Sequence, residues 1–566
     1  MVSMKPSADL AQLAQRYWEF TCYEFPLTAI SAGEKTVDAV VFREAPRDWD
    51  RKSVQAARML ADLRQINGPS LAPADRATFR LLERELDDLC VLHALGAHLR
   101  PSLLPVGPEF MTVYFANTTS LADLDSAERY GARLETIPTF LADIALCLKA
   151  GHASGFRYPR VVLERAIDNL MAAVPASPEE SAWYAPFKRS PLTSDPQLTR
   201  IANKARETIV VGLIPALRAL RTLLAGPLLT DARESVACTD DQQGVELYAR
   251  LVQNFTTTNL SSDEVHVLGL QEVERIGHAL AAVVAEAGFG GDLGAYRRHL
   301  MAAPEFLARS KEDLEDRMRV LAKRIDRLIP AFFGRLPRIT YGVESIPESL
   351  SARMPPAYAQ PSPADGSAPG LLWVSGIPSK CPLYMLVPLA LHEGWPGHLM
   401  HIALMQEMTE LPLFRRHNAV KYTACVEGWA LYCEQLGIDM KLYESPHQHY
   451  GRLDMEMWRA CRLVVDTGLH VKRWSRQQAI DYMVQHLSLT LDTITAEVDR
   501  YIALPGQALA YQIGNLKFRE LRRRAEQRLG SRFSLRNFHD ALMAAGPVTL
   551  PVLDDVINEW LSSAAA

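Results

Sequence analysis

The sequence predicts a mainly α-helical fold of two lobes with one small β-sheet. Two observations carry this. Apolar residues recur at three- and four-residue intervals over long stretches of the chain, the spacing that lines one face of a helix. Strand character is confined to two short segments in the second half, Arg338 to Gly342 and Leu371 to Gly376. With 566 residues, 48% of them hydrophobic and 22% charged, the chain exceeds a typical single domain and has material for a large core. The expected division is a helical N-terminal lobe, 1–230, and a second lobe, 231–566, built as one continuous fold.

In chain order, helices are predicted at Leu10 to Glu24, Asp48 to Ile66, Ala74 to Leu95, Ser126 to Lys149 and Gln197 to Leu223. The Pro- and Ser-rich stretch Ala173 to Pro196 reads as a long surface loop, and a break falls near Leu229 to Asp241. Beyond it, a helix is predicted from Asp263 to Ala287 with Ser262 as its cap. The two strand segments enclose a Pro- and Gly-rich loop, Pro355 to Gly370, read either as a cover over a pocket or as a plain surface connection. Leu371 to Gly376 is read as an exposed edge on which an extended peptide can lie.

The net charge of −5 and pI near 6.3 provide no electrostatic footprint for nucleic acid. The one dense basic run, Leu516 to Arg528, is interleaved with glutamates and reads as a solvated helix face. Eight scattered cysteines without a C-x-x-C pair suit a reducing compartment. The N-terminus lacks an apolar signal-like core, and no uninterrupted run of about 18 apolar residues occurs, so the expectation is a cytoplasmic protein without membrane contact. Oligomeric state is not legible.

The chemistry concentrates in LALHEGWPGHLMH, where His392 and Glu393 are adjacent and His398 and His401 follow, and in CVEGWALYCE, which holds Glu427 and Glu434. Catalytic zinc takes three ligands from His, Glu, Asp or Cys and leaves one position for water, whose pKa falls to roughly 7. A carboxylate beside the first ligand can take that water's proton and pass it to a leaving amine, and Glu393 occupies this place. His398 is six residues after His392 rather than four. At about 100° per residue, an unbroken helix would put it some 120° off the shared face. Pro396 and Gly397 therefore predict a kink, wide turn or π-type bulge between Gly394 and His398. His401 competes as the second imidazole or packs behind the site. Glu434 is a structural acid or a partner that orients a ligand imidazole.

HEGWPGH (His392 to His398), VEGWALYCE (Val426 to Glu434), WRACRLVVDTGLH (Trp458 to His470) and RYIALPGQALAYQIG (Arg500 to Gly514) resemble the motif series of the bacterial family known as domain of unknown function 885. A weaker likeness reaches up through Gly244 to Gly269. The family is grouped with zinc peptidases that carry a His-Glu helix, the gluzincin-like superfamily, so the resemblance implies a metallopeptidase-like fold without supplying a substrate. It implies His392, His398 and Glu427 as ligands of one zinc ion and Glu393 as general base. Relatives often read PGHHLQ where this chain reads PGHLMH, so the pocket just after His398 departs from theirs.

Arg462, Asp466 and His470 fall four residues apart on one helical stripe. Asp466 can hold Arg462 toward a substrate carboxylate, and His470 can donate to an oxyanion, or the three form an internal ion-pair ladder. Arg500, Tyr501 and Tyr511 flank the turn at Pro505 and Gly506. Either phenol is a candidate oxyanion donor, and Arg500 is a second candidate for a carboxylate. The expected function is zinc-dependent hydrolysis of a peptide or related amide bond, with a carboxypeptidase or dipeptidase favoured by the two arginines. The alternatives are a tailoring hydrolase acting on a small amide or amino-acid conjugate, and a catalytically silent binding protein.

Overall fold

The computed structural model describes residues 5–33, 43–347, 351, 354–417 and 421–565. Helix accounts for 72% of the structure and strand for 3%, the mainly α architecture with one small sheet that the periodicity predicts. The chain divides into two compact units. One comprises Met1–Leu71, Leu82–Tyr248 and Asp499–Leu504; the other comprises Ala72–Leu81, Ala249–Val498 and Pro505–Ala566.

In the first unit the predicted helices appear as Lys5–Glu24, Pro46–Leu63, Pro73–Ala94, Leu124–Ala153 and a composite from Pro196 to Leu228. The Pro73–Ala94 helix starts in the other unit. Leu124–Ala153 begins where Asp123 and Ser126 cap each other's backbone, and it buries Leu134, Ile137, Leu141, Ile144 and Leu148 along one stripe. Pro196–Leu228 contains two π turns, Ile209–Leu213 and Leu224–Leu228, beside Pro215 and around Pro227, where the proline nitrogens cannot continue the ladder. By length and composition it is the one helix among the described residues that is apolar enough to cross a membrane, with a mean hydropathy of 1.6 over its most apolar window. Leu213, Leu217, Leu220 and Leu224 are buried on its inner face.

Ala173 to Pro196 is not the surface loop expected. It contains a short helix, Ala185–Arg189, and buries Trp183 and Phe187. The Trp183 indole donates to Thr112 Oγ1 at 3.2 Å, and its carbonyl accepts from the Tyr130 hydroxyl at 2.7 Å. Pro and Ser set the breaks in this stretch, but burial of two large aromatic rings decides where it lies. The cap of the Ser262–Glu286 helix also moves by one residue, from Ser262 to Ser261. A reciprocal cap needs a side chain three residues on that can accept the cap residue's own N–H. Ser261 has Glu264 there, whereas Ser262 would have Val265.

The sheet has three strands: β1 (Tyr341–Ser345), β2 (Ala357–Gln360) and β3 (Gly370–Val374), in the order β1-β3-β2. β1 runs parallel to β3 and β2 antiparallel. Two expectations are corrected. The loop Pro355 to Gly370 supplies a strand, because Tyr358 stacks on Trp373 at 6.0 Å and the Trp373 indole donates to Gln360 Oε1 at 3.0 Å. Leu371 to Gly376 is therefore no exposed edge: its strand is the centre of the sheet, paired on both sides, and the edges belong to β1 and β2.

Two helices of the second unit, Thr423–Asp439 and Ala510–Leu529, cross where neither has a side chain. A Cβ on Gly428 would stand 2.4 Å from the Gly514 carbonyl carbon, and one on Gly514 would stand 1.9 Å from the Ala424 oxygen. Both contacts are with backbone, so a methyl group at either position drives the helices apart. We expect Gly428→Ala to destabilise the protein by about 1–3 kcal/mol or more, read as a lower melting temperature. Gly277→Ala, whose Cβ meets nothing nearer than Met457 Cε at 4.0 Å, is the matched control and is expected to leave melting unchanged or slightly raised.

Candidate metal centre

The Leu386–Glu393 helix makes its last bond from the Gly394 N–H to the Ala390 carbonyl, Gly394 leaves helical geometry, and, two residues on, the nitrogen of Pro396 has no proton to offer the His392 carbonyl. The chain turns through Gly394, Trp395, a cis Trp395-Pro396 bond and Gly397, and a new helix, His398–Gln406, starts at once. Gly397 is required by this turn, since a Cβ there would stand 2.0 Å from the His392 oxygen. The break brings the two imidazoles face to edge, ring centroids 4.8 Å apart at 90°. A clamp from the neighbouring Thr423–Asp439 helix holds it, the Trp429 indole donating to the Pro396 carbonyl at 2.9 Å.

The same helix delivers Glu427 between the imidazoles. Glu427 Oε2 lies 3.4 Å from His392 Nε2 and 3.3 Å from His398 Nε2. This oxygen is buried and no hydrogen bond satisfies it, which is costly for a carboxylate in a protein interior. The three residues form the one group among the described residues whose His, Cys, Asp or Glu donors converge as a cation would require, all within 4.8 Å. An unsatisfied carboxylate oxygen facing two ring nitrogens is a donor set suited to a cation. His398 Nδ1 is also buried without a partner.

Behind His392, Glu434 resolves the alternatives read for it. Its Oε1 meets His392 Nδ1 at 2.8 Å, so this carboxylate orients the ring and leaves Nε2 to face Glu427. Glu434 follows Glu427 by seven residues, about two helical turns, enough to reach one ring from both sides. His401 is outside the converging group. It is buried against Trp429, with ring centroids 6.0 Å apart, and its Nδ1 has no partner. Arg459, which the sequence reading passed over, lies behind Glu434 at 3.6 Å. Its only signal was its place inside the WRACR motif.

The remaining candidates fall into separate places. Arg462 is buried, paired with Glu497 at 2.9 Å, and its guanidinium lies 4.2 Å from the Tyr511 ring and 4.7 Å from that of Trp458. Both oxygens of Asp466 accept the Gly506 N–H at 3.1 Å, which anchors the Pro505-Gly506 turn. His470 is fully buried at the end of the Pro446–His470 helix. Arg500 and Tyr501 lie in Asp499–Leu504, which belongs to the first unit, where Asp499 pairs with Arg165 at 2.9 Å.

The field within the cluster separates its titrating groups. Burial acts to lower the pKa of His392, but the Glu427 and Glu434 carboxylates outweigh it and hold the imidazole up at about 9. Burial opposes ionisation of Glu427 too, yet the two histidines keep it well below the usual carboxylate range. Burial raises the pKa of Glu393 against the pull of the same histidines. His401, desolvated and beside His398, is lowered to about 3.

The chain belongs to a family of bacterial proteins of unknown function, DUF885, whose sequence profile matches residues 26–557. Among solved structures it is similar to "the putative lipoprotein from Colwellia psychrerythraea", at 26% identity over 99% of this chain and 100% of that one, with a TM-score of 0.93. It shares its fold with "a putative lipoprotein of unknown function from Shewanella oneidensis", at 16% identity over 98% and 100% of the two chains, with a TM-score of 0.72. No curated protein matches. Membership of the family carries no assignment to the zinc peptidases.

In metal-free protein, His392 is expected to titrate near pH 9 and His401 near 3. The folded pKa of His392 lies above its unfolded value of about 6.5, so its stabilising contribution is complete below pH 6.5 and lost as pH rises toward 9. His401 is depressed, so its contribution is complete above 6.5 and lost as pH falls. Histidine NMR titration checks both, and Glu434→Gln is expected to lower the His392 midpoint.

Proposed function

We propose that this protein is a zinc-dependent hydrolase of peptide or related amide bonds, with His392, His398 and Glu427 as ligands and Glu393 as the proton acceptor. One observation carries the reading: a buried, unsatisfied Glu427 oxygen flanked by two imidazole nitrogens at 3.3 and 3.4 Å. Donors placed tetrahedrally about 2.0–2.1 Å from zinc stand about 3.3–3.4 Å from one another, which matches that spacing.

A bound zinc ion supplies Lewis acidity and brings the pKa of water to roughly 7. The remaining work belongs to the chain. Glu393 directly follows His392 in the chain, and in this reading its carboxylate would accept the water proton and return it to the leaving nitrogen. His392, held through Nδ1 by Glu434, keeps its Nε2 aimed at the centre. Tyr511 is the favoured oxyanion donor among Tyr501, Tyr511 and His470. It lies one turn before Gly514, where its helix meets the helix bearing Glu427, and the Arg462 cation at its ring favours negative charge nearby. Arg462 is paired with Glu497 through Nη2, and the reading names the bond cleaved without choosing an exopeptidase. The name of the Colwellia psychrerythraea protein favours a lipid-anchored location over the cytoplasmic one expected from the sequence; fractionation of the producing cell decides between them.

The test separates binding from chemistry. Purified protein is expected to hold close to one zinc per chain, and His392→Ala, His398→Ala and Glu427→Gln to lose most of it. Glu393→Gln is expected to keep the metal and lose about 10²–10⁴-fold in turnover on peptide or amide substrates; Tyr511→Phe is expected to keep the metal and lose about 10²–10³-fold in kcat. Full zinc occupancy in both histidine variants, or full activity in Glu393→Gln, rejects the reading.

A further inference from the structure

Glu434 Oε1 is shared between two groups. It takes the Nδ1 edge of His392 at 2.8 Å and stands 3.6 Å from Arg459 Nη2. Arg459 projects from the Pro446–His470 helix into a place almost closed to solvent, its side chain 5% exposed. Nη1 donates to the Met455 carbonyl at 3.2 Å and lies 3.3 Å from the Met455 sulfur, the guanidinium sits 5.0 Å from the Trp458 ring, and Nε is buried without a partner. A guanidinium so incompletely satisfied is costly to bury unless a carboxylate faces it, and Glu434 is the carboxylate that does. Glu434 is pinned from a second side as well, its backbone carbonyl accepting the Tyr443 hydroxyl at 2.6 Å.

We propose that Arg459 is a positioning residue that sets the cation affinity of the His392, His398 and Glu427 centre, an inference that rests on the zinc reading above. Arg459 and His392 bear on the same oxygen, so the guanidinium fixes the carboxylate that fixes the ring. With Glu434 held, the His392 ring keeps its Nδ1 edge toward Glu434 and presents Nε2 to the centre, where a bound cation would take the place of a proton. Without Arg459, the Glu434 side chain loses its cationic support, and the His392 ring is free to rotate or to exchange tautomers.

The experiment uses the full chain, stripped with a chelator and titrated with zinc against a chromophoric competitor, with the visible spectrum of the cobalt-loaded protein as a second readout. Arg459→Met is expected to weaken zinc binding by about 10-fold or more, the scale seen when groups supporting a ligand are removed. Glu434→Gln should do the same, and the double variant should bind no more weakly than Glu434→Gln alone, because both changes break one relay. Arg459→Lys should recover part of the affinity, and it carries the test should Arg459→Met fail to fold. An Arg459→Met protein that melts earlier yet binds zinc like the parent overturns the proposal, as does strict additivity in the double variant. A parent that binds zinc one to one and is indifferent to Arg459 overturns this inference alone; a parent that binds no zinc overturns it together with the reading of the centre.

Discussion

Delivery of one carboxylate between two imidazoles is the constraint around which the second unit is organised. Glu427 can sit 3.3 Å from His398 only because its helix is held close on two sides. On one side Gly428 meets Gly514 backbone to backbone, and on the other Trp429 reaches the Pro396 carbonyl and holds the turn that separates the two imidazoles. Three consecutive residues therefore perform three tasks: Glu427 faces the centre, Gly428 permits the crossing, and Trp429 fastens the opposing turn. A change of register by one residue on this helix would misplace all three.

Around that point the protein accumulates ionisable groups in a setting where isolated charges are unfavourable. Glu393, Glu427 and Glu434 supply three carboxylates, and His392, His398 and Arg459 answer them from three different helices. The balance is lopsided in a useful way. Glu434 is met by His392 and Arg459, while the Glu427 oxygen is left with nothing but two ring nitrogens for company. A carboxylate oxygen left open between two imidazoles creates a place where positive charge is stabilised by attraction rather than by water.

Much of this was legible in the sequence, and the reasons differ by feature. Helices were legible because their apolar stripes are long and regular, as in Leu124–Ala153. The break after Glu393 was legible because an interval of six residues from His392 to His398 does not return to one helix face and Pro396 and Gly397 mark where the chain departs. The third strand, Ala357–Gln360, was hidden by the prolines on either side of it, since its pairing is fixed by cross-strand contacts with Trp373 that local composition does not register. Trp183 was hidden likewise: a Pro- and Ser-rich context says where a chain turns, not whether an aromatic ring within it is buried. Glu434 was visible as a candidate and Arg459 was not, because a seven-residue helical interval is readable in one dimension, whereas the approach of a neighbouring helix is not.

The chain does not visit its two units in succession. Ala72–Leu81 belongs to the unit that otherwise begins at Ala249, and Asp499–Leu504 belongs to the unit that otherwise ends at Tyr248. A cut at that boundary accordingly yields no intact half: the C-terminal fragment would carry Asp499 away from its Arg165 partner, and it would leave behind the ten residues whose Thr78 meets Arg415 at 3.1 Å. The practical unit of expression, crystallisation and evolution by recombination is the whole chain, even though His392, His398 and Glu427 lie within 36 consecutive residues of it.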